Sequence, residues 1–299
     1  MGTERALSQG STGRIETAAF VMGGGAPFVL IAGPCVIETP ERTRRIARFL
    51  KELTASLGIP FIFKASYDKA NRTSVASYRG PGLEAGLALL ASIREDFGVP
   101  VLADVHRFEE IPAASRVLDV LQVPAFLCRQ TDFVMEVARA APIVNIKKGQ
   151  FLAPWDMAAV LEKVRQAGAR NVMVTERGAS FGYNNLVADF RSLPIIRAMG
   201  VSVVFDATHS VQLPAGRGAT SGGEREMVPY LCRAAAAVGM DGLFLEVHPD
   251  PDAALCDGPN SVALAALPEL LALVKEIDVA VKRAPSAALK NEAPVSTGG

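Results

Sequence analysis

Eight short apolar runs recur along the chain and are separated by longer segments of mixed character. Each run is rich in Val, Ile, Leu or Phe, and most lack the strict alternation of a strand with one solvent-exposed face. Continuous apolar runs are typical of strands that are buried on both faces, as in parallel sheets. The predicted strands cover residues 27–33, 60–65, 100–105, 120–125, 142–148, 171–176, 201–207 and 242–247.

Helical patterns fill the segments between these strands. In the segment after the first strand, apolar residues between positions 46 and 57 repeat every three or four residues, which predicts a helix with one buried face. Thr39 suits the N-cap of this helix, Pro40 suits its first position and Gly58 suits its C-terminal end. Similar patterns predict helices at residues 83–97, 154–168, 187–199, 224–239 and 261–282, with shorter ones near 108–118 and 131–140.

The alternation of eight strands with eight helices predicts an α/β protein with a single (β/α)8 TIM barrel. A doubly wound sheet is the competing arrangement, but it normally carries a G-x-G-x-x-G turn after the first strand, and this chain has IAGPC there. We therefore expect a barrel over residues 26–283. A loose N-terminal lead-in over residues 1–25 should precede it, and a disordered, flexible tail over residues 284–299 should follow it.

Composition narrows the classes of function. The 299 residues include 31 basic and 31 acidic side chains, and this balance argues against a general nucleic-acid or membrane-surface binder. No apolar run approaches the roughly 20 residues that span a bilayer, and the N-terminus lacks the apolar core of a signal peptide. The four cysteines form no C-x-x-C pair, so free thiols in a reducing cytoplasm are expected.

Polar side chains concentrate where the predicted strands end, which is the catalytic face of a barrel. Cations stand at several of these ends, and together they suit more than one anionic group, such as two phosphates and a carboxylate. Lys147 and Lys148 are neighbours on a strand, so we expect only one of them to face the site. The cations at these strand ends are Lys64, Lys69, Arg72, Arg129, Lys147 and Arg177.

A second group at the strand ends could bind a metal ion. It lacks a local ligand motif such as H-E-x-x-H, and a single His or Cys in such a position is more often structural. The mixture of donor types would suit Zn²⁺, Fe²⁺ or Mn²⁺ without selecting one of them. The candidates are Cys35, His209, Glu246 and Asp257, with His106 and His248 in reserve.

Two glycine-rich stretches follow the sixth and seventh strands. They read TERGASFGYNN and QLPAGRGATSGGERE. Both are candidate lids that would exclude water from a reactive centre, and plain surface turns are the alternative.

Several long segments together resemble one family, the 3-deoxy-D-manno-octulosonate 8-phosphate (KDO-8-phosphate) synthases, in their metal-dependent form. The resemblance covers residues 28–282 and rests on IAGPCVIE, FKASYDKANRTS, LADVH, QVPAFLCRQTD, VNIKKGQFLAPW, TERGASFGYNNLVADFRSLP, FDATHSVQLP and EVHPDPDAALCDGPN. It implies a TIM barrel that condenses phosphoenolpyruvate (PEP), D-arabinose 5-phosphate and water into KDO 8-phosphate and phosphate, in the synthesis of lipopolysaccharide. The related DAHP synthases use erythrose 4-phosphate and typically carry a K-P-R-T-S segment where this chain has KANRTS, so a DAHP-type activity is the alternative.

The resemblance also implies roles for individual residues. Lys147 and Arg177 would hold the PEP phosphate, and Lys69 would neutralise its carboxylate. Arg129 would reach the sugar phosphate of a neighbouring subunit, which implies an oligomer, expected to be a homotetramer. The full implied set is Ser66, Asn71, Arg72, Ser74, Gln122, Arg129, Lys147 and Arg177 for substrate binding, and Lys64, Lys69, His106, His209 and Asp257 for catalysis.

Metal dependence is implied by one position. Metal-independent members of the family carry Asn where this chain has Cys35, so the resemblance implies a divalent metal. Its ligands would be Cys35, His209, Glu246 and Asp257. Cys256 is not implied as a ligand, since side chains of adjacent residues usually point apart. His106 would lie near PEP without binding the metal, and His248 would be structural or support the site.

Overall fold

Eight parallel strands close into a barrel in the computed structural model, which describes residues 13–72, 74–217 and 220–284. Each strand pairs with the next in chain order, and β8 pairs with both β7 and β1, which closes the sheet. The predicted TIM barrel is therefore confirmed. The strands are β1 Val29–Gly33, β2 Phe61–Lys64, β3 Val101–Asp104, β4 Val120–Val123, β5 Ile143–Lys147, β6 Val172–Glu176, β7 Ser202–Asp206 and β8 Gly242–His248.

A helix follows each strand and packs on the outside of the barrel. The end signals of the first helix act as predicted: the Thr39 hydroxyl accepts a hydrogen bond from the backbone N–H of Arg42 at 3.2 Å, and Gly58 ends the helix with φ +60°. The helices are α1 Pro40–Leu57, α2 Leu83–Phe97, α3 Ile111–Val117, α4 Thr131–Ala140, α5 Met157–Gln166, α6 Ser192–Arg197, α7 Val228–Val238 and α8 Leu267–Arg283.

Four helices begin later than the periodicity predicts. A short 3-10 helix lies at the predicted start of α5 and of α7, whereas extended backbone lies at that of α6 and α8. Residues Leu186–Val187 pair antiparallel with Ala179–Ser180, so α6 begins only at Ser192. Val262–Ala263 pairs with the end of β8, so α8 begins only at Leu267. In both places hydrogen bonds to a neighbouring strand override the local helical pattern.

The glycine-rich stretch after β7 also contains extended backbone. Gln212–Arg217 pairs antiparallel with Thr220–Gly223. Whether this stretch or the one after β6 closes over a ligand stays a prediction.

A short hairpin closes the N-terminal end of the barrel. Ile15–Glu16 pairs with Val21–Met22, and the side chains of Ile15, Phe20 and Met22 are buried against the barrel interior. The expected loose lead-in thus contains an ordered element that its polar composition did not reveal. Residues 1–12 of that lead-in and residues 285–299 of the expected tail lie outside the described part of the chain.

The barrel interior is built in layers. Side chains of a strand alternate between its two faces, so every second residue points inward. One apolar inner layer takes a residue from each strand, namely Ile31, Ile62, Leu102, Val120, Ile143, Met173, Val204 and Phe244. Two residues further along each strand, the inward-facing residues are mostly polar, and these positions form the floor of the catalytic face.

Candidate active site

The second inner layer is almost entirely polar and buried. Its members are Gly33, Lys64, Asp104, Gln122, Asn145, Thr175, Asp206 and Glu246. Buried polar groups are stable only when they are paired. Apart from one oxygen of Glu246, the layer meets this requirement with a charged half around β7, β8 and β2 and a hydrogen-bonded half across β3 to β6.

Glu246 is the centre of the charged half. Its Oε1 accepts a hydrogen bond from Lys64 Nζ at 2.7 Å and lies 3.6 Å from Lys69 Nζ. Burial alone would raise the pKa of Glu246, but Lys64 and the surrounding cations outweigh it and hold that pKa well below its usual range. The carboxylate is therefore ionised throughout the neutral pH range.

His209 is held in one orientation by a second carboxylate. Its Nδ1 lies 2.7 Å from Asp206 Oδ2, so its Nε2 points toward Glu246 Oε1, 3.6 Å away. Asp206 also accepts from Lys147 Nζ at 2.8 Å. Burial alone would raise the pKa of Asp206, but His209 and Lys147 outweigh it and hold that pKa below the usual range. A carboxylate behind a histidine is the arrangement that fixes metal-binding imidazoles.

The four predicted ligand side chains lie together at one wall of the site. Donor atoms of His209, Glu246 and Asp257 all lie within 4.8 Å of one another, and Cys35 Sγ lies 3.2 Å from Asp257 Oδ2. Within the described residues, the second oxygen of Glu246, Oε2, is buried and has no hydrogen-bond partner. An ionised carboxylate oxygen without a partner, beside imidazole and thiol donors, fits a divalent cation.

Cys256 belongs to the same cluster, contrary to the expectation that it would point away from Asp257. Its Sγ lies 2.8 Å from Cys35 Sγ and 3.6 Å from Asp257 Oδ2. The physical reason is the backbone: Asp257 has φ +49°, a left-handed conformation in which neighbouring side chains need not diverge as they do on a strand. Burial, followed by Cys256 and Asp257, raises the pKa of the Cys35 thiol well above its usual value.

A cavity of about 390 Å³ opens above this layer. Most of the predicted cations and acid–base groups face it. Its polar lining residues are Lys69, Asn71, Arg72, Ser77, Asp104, His106, Lys147, Gln150, Arg177, His209, Gln212 and Asp257. Arg177 is anchored by Gln212 Oε1 at 2.9 Å and by the carbonyl oxygen of His209 at 3.3 Å.

Lys148 leaves the site, as the alternation of side chains predicts. Its Nζ donates to the carbonyl oxygen of Leu152 at 3.0 Å and lies 3.5 Å from Glu176 Oε2. The Glu176 carboxylate also accepts from the backbone N–H of Gly178 at 2.7 Å. Lys148 thus supports the loops after β5 and β6, while Lys147 carries its charge into the cavity.

Several predicted residues take other positions. Lys64 and Ser66 are fully buried below the cavity, where Ser66 Oγ donates to Asp104 Oδ2 at 2.8 Å. Gln122 is also fully buried, with both ends of its amide engaged by other side chains. Ser74 lies outside the cavity lining, and Arg129 is exposed beyond it.

The remaining two histidines lie in different surroundings. His106 lines the cavity, apart from the metal-capable donors. His248 is buried away from the cavity, with Nε2 lying 3.5 Å from Glu38 Oε2. Its position is that of a structural residue.

Sequence reasoning gave no role to several residues that shape the site. Asp206 orients both His209 and Lys147, Gln212 anchors Arg177, and Ser77 lines the cavity beside Arg72. The alternation along β7 was the available signal for Asp206, because it places Asp206 two residues after the inward-facing Val204.

Comparison with known proteins assigns the chain to a family. The model of the DAHP synthetase I family matches residues 10–283. The chain belongs to the DAHP synthetase I family. Within the family, it is similar to proteins named 2-dehydro-3-deoxyphosphooctonate aldolase, which confirms the resemblance to the KDO-8-phosphate synthases. The metal-dependent form stays a prediction.

These relatives match almost the whole barrel. The protein of that name from Geobacter metallireducens is 62% identical over 261 residues, which cover 87% of this chain and 96% of the relative. That from Desulfosudis oleivorans is 61% identical, covering 88% and 95%. That from Trichlorobacter lovleyi is 57% identical, covering 91% and 100%.

Proposed function

We propose that this member of the DAHP synthetase I family condenses PEP with D-arabinose 5-phosphate and water to give KDO 8-phosphate and phosphate. The observation that carries the proposal is one cavity that combines Lys69, Lys147, Arg177 and Arg72 with metal-capable donors on one wall. The relatives' names support it, since a phosphooctonate has eight carbons, the sum of three from PEP and five from arabinose 5-phosphate. Erythrose 4-phosphate would give seven.

The deep side of the cavity suits PEP. Lys147 and Arg177 offer two charges to its phosphate, and Lys69 offers one to its carboxylate. Burial lowers the pKa of Arg177, and nearby carboxylates act in the opposite direction, so the guanidinium is poorly solvated and gains from an anionic partner. Bound PEP would supply that partner. We keep Ser66 and Gln122 in the site as supports for this region, since both hydrogen-bond to Asp104.

The outer side of the cavity suits the phosphate of the sugar. Asn71, Arg72 and Ser77 line it together, and Ser74 stands on the same segment. Arg72 Nε is buried and has no hydrogen-bond partner within the described residues, so the side chain has donors in reserve. A planar guanidinium binds phosphate through paired hydrogen bonds.

The chemistry asks the protein to stabilise charge. C3 of PEP bonds to the aldehyde carbon, water adds at C2 and phosphate leaves with cleavage of its C–O bond. The aldehyde oxygen gains negative charge in the first step, and cations or proton donors that are already in place stabilise it without reorganisation. His106, which lines the cavity, is placed to exchange a proton with the reacting groups, whereas both ring nitrogens of His209 face carboxylates and suit metal binding instead.

We propose that Cys35, His209, Glu246 and Asp257 hold a divalent metal, of which Zn²⁺, Fe²⁺ and Mn²⁺ are candidates. Such an ion acts as a Lewis acid that orients the aldehyde or activates the water. The residues present suit it: Asp206 orients His209, and Glu246 has an unpaired buried oxygen within the described residues.

We also propose that the protein is a homotetramer in which Arg129 completes a neighbour's sugar-phosphate site. Arg129 is exposed outside its own cavity. The same rim, built from loops after β4, β5 and β6, presents large aromatic side chains to solvent, which is typical of a protein interface. These side chains are Phe126, Phe151, Trp155, Phe181 and Tyr183, each at least 55% exposed.

Within the described residues, the helices are too short or too polar to cross a membrane. We propose a cytoplasmic location, where PEP is made and where the four free cysteines would stay reduced. We propose neither a nucleic-acid nor a membrane partner.

The experiment that tests the reaction compares two aldehydes. Phosphate release from PEP should require an aldose phosphate, and kcat/KM should be higher with arabinose 5-phosphate than with erythrose 4-phosphate by at least about 10²-fold. Equal turnover of the two sugars would reject the proposal in favour of the DAHP-type alternative.

The metal is tested separately by chelation. EDTA or dipicolinate should abolish activity, and Mn²⁺, Fe²⁺, Co²⁺ or Zn²⁺ should restore at least part of it. Full activity in protein shown by elemental analysis to be metal-free would overturn the metal proposal and leave the reaction standing.

A further inference from the structure

Four side chains form a continuous hydrogen-bonded chain across the floor of the barrel, from β6 to β3. Thr175 Oγ1 donates to Asn145 Oδ1 at 2.7 Å, and Asn145 Nδ2 donates to Gln122 Oε1 at 2.7 Å. Gln122 Nε2 then donates to Asp104 Oδ1. Thr175, Asn145 and Gln122 are fully buried, whereas Asp104 reaches the cavity.

The direction of this chain follows from its anchor. An ionised carboxylate can only accept hydrogen bonds, so Gln122 must turn its amide nitrogen toward Asp104. Its oxygen then faces Asn145, which must offer its own nitrogen, and the Asn145 oxygen in turn requires the Thr175 hydroxyl as a donor. Each amide orientation is thus fixed by the next partner, and the chain ends at Asp104.

Asp104 is a fixed anion among the cations of the proposed PEP site. Its Oδ2 accepts from Ser66 at 2.8 Å, which adds a second donor to that from Gln122. Burial alone would raise the pKa of Asp104, but Lys64, Lys69, His106 and Lys147 outweigh it and hold that pKa low. An ionised carboxylate here favours the charged form of Lys69, since, despite burial, the pKa of that lysine is raised by Cys35, Glu246, Cys256 and Asp104.

We propose that Thr175, Asn145 and Gln122 are positioning residues that hold Asp104 oriented toward Lys69, His106 and Lys147, and so set the affinity of the cavity for PEP. This inference rests on the proposed function only in taking PEP as the ligand. None of the three buried residues has to touch a substrate. Their effect reaches the cavity through the orientation of the Asp104 carboxylate.

Two substitutions of Gln122 test the proposal through PEP binding, measured by titration calorimetry without the aldehyde. Gln122→Leu ends the chain and should weaken PEP binding roughly tenfold at every pH, in line with a lost hydrogen bond to a charged group. Gln122→Glu should behave differently, because a protonated carboxyl group can donate to Asp104 and accept from Asn145 as the amide does.

The pH dependence of Gln122→Glu has a defined sign. Two adjacent carboxyl groups share a proton, while Lys64, Lys69, His106 and Lys147 favour its loss. PEP affinity should therefore approach that of the wild type near pH 5 and fall by more than about tenfold as pH rises to 9, relative to wild type at the same pH. Repulsion alone cannot explain a loss in Gln122→Leu, which adds no charge.

The far end of the chain supplies a second, milder test. Thr175→Val removes only the terminal donor and should weaken PEP binding by roughly three- to tenfold. Thr54→Val is the matched control, because Thr54 is equally buried but donates to the carbonyl oxygen of Leu50 in α1, outside the barrel. PEP binding in this control should equal that of the wild type.

The outcomes separate this inference from the proposed function. If the wild type binds PEP and both Gln122→Leu and folded Thr175→Val bind it equally well, the positioning role is wrong. The positioning role is also wrong if Gln122→Glu shows the pH profile of the wild type. Wild-type protein that fails to bind PEP would instead remove the proposed function, and the inference with it.

Discussion

Two adjacent lysines show how one position on a strand decides the role of a side chain. Lys147 points into the barrel, pairs with Asp206 at 2.8 Å and lies 4.1 Å from the centre of the Phe244 ring. Lys148 points to the outer face and supports loop carbonyl groups. Both ammonium groups are buried, so each needs its partners to offset the loss of hydration. The direction in which each lysine side chain points therefore decides whether its charge reaches the cavity.

The first prediction concerns the metal. Cys35→Ala should reduce the affinity for Zn²⁺ or Mn²⁺ by more than about tenfold, because it removes a proposed ligand next to Asp257. Metal content after dialysis, measured by atomic emission, checks this. The control is Cys232→Ala, which removes an equally buried thiol from α7 and should retain the metal. Equal metal content in the two variants would contradict the ligand set.

The second prediction concerns stability and pH. The pKa of Asp104 is lower in the folded protein than the value of about 3.9 in an unfolded chain. A depressed pKa contributes stability that is present above the unfolded value and is lost as pH falls toward the folded value. Asp104→Asn should therefore cost about 1–3 kcal/mol at pH 7 and progressively less below about pH 4.

Urea unfolding at several pH values measures this difference. The exposed Asp252→Asn is the control and should show a small cost at every pH, since its ion pair with Arg225 lies at the surface. A cost for Asp104→Asn that stays constant down to pH 3 would mean that the charge of Asp104 does not contribute to folding.

For single residues, the sequence predicted which residue types the site contains better than it predicted where each side chain lies. Strand ends identified Lys147, Arg177, His209 and Glu246, because parallel strands deliver their ends to one face. The sequence placed Gln122 in a strand that is buried on both faces, but it did not show that the amide would bind Asp104 and Asn145. The approach of Cys256 to Cys35 depends on a positive φ at Asp257, which a sequence pattern does not display.

The strands and helices that a local sequence pattern marks were predicted, and the N-terminal hairpin, which lacks such a pattern, was missed. The strands and α1 have continuous apolar runs or matched end residues, which act over a few positions. The hairpin of Ile15–Glu16 and Val21–Met22 has only a few apolar residues in a polar stretch. Its stability comes from the barrel interior, which is distant in sequence.

The third prediction belongs to that hairpin. Met22 is fully buried under the barrel, and its Cε lies 3.2 Å from the place a side chain on Gly242 would occupy. Met22→Ala should lower the free energy of unfolding by about 2–4 kcal/mol, because the surrounding side chains cannot fully close the space that the shorter side chain leaves. Activity should change little in the folded variant, since the proposed substrate cavity lies at the opposite end of the barrel.

Urea denaturation of Met22→Ala and Val21→Ala tests the hairpin as a cap. Val21 is only half-buried, so its variant should lose less than about 1 kcal/mol. If the two variants unfold at the same urea concentration, the hairpin does not contribute to the barrel core.

The order of the strands and helices predicts the barrel, but it does not predict how subunits associate. Periodic strands and helices of similar length leave few alternatives to a closed barrel of this size. An interface leaves a weaker trace, because apolar side chains on one rim are also found on monomers. The exposed aromatic side chains after β4, β5 and β6 therefore become informative only once the fold places them on one side of the molecule.

The last prediction tests whether that rim joins subunits into shared sites. Arg129→Ala and Lys147→Ala should each be nearly inactive, the first for want of a neighbour's guanidinium and the second for want of a charge in its own cavity. Mixed subunits of the two variants, dissociated in mild denaturant and reassembled, should regain activity, because some sites then combine an intact Lys147 with a neighbour's intact Arg129. Random pairing makes roughly a quarter of the sites complete. Each variant taken alone through the same procedure is the control, and a mixture no more active than these controls would show that Arg129 does not act across subunits.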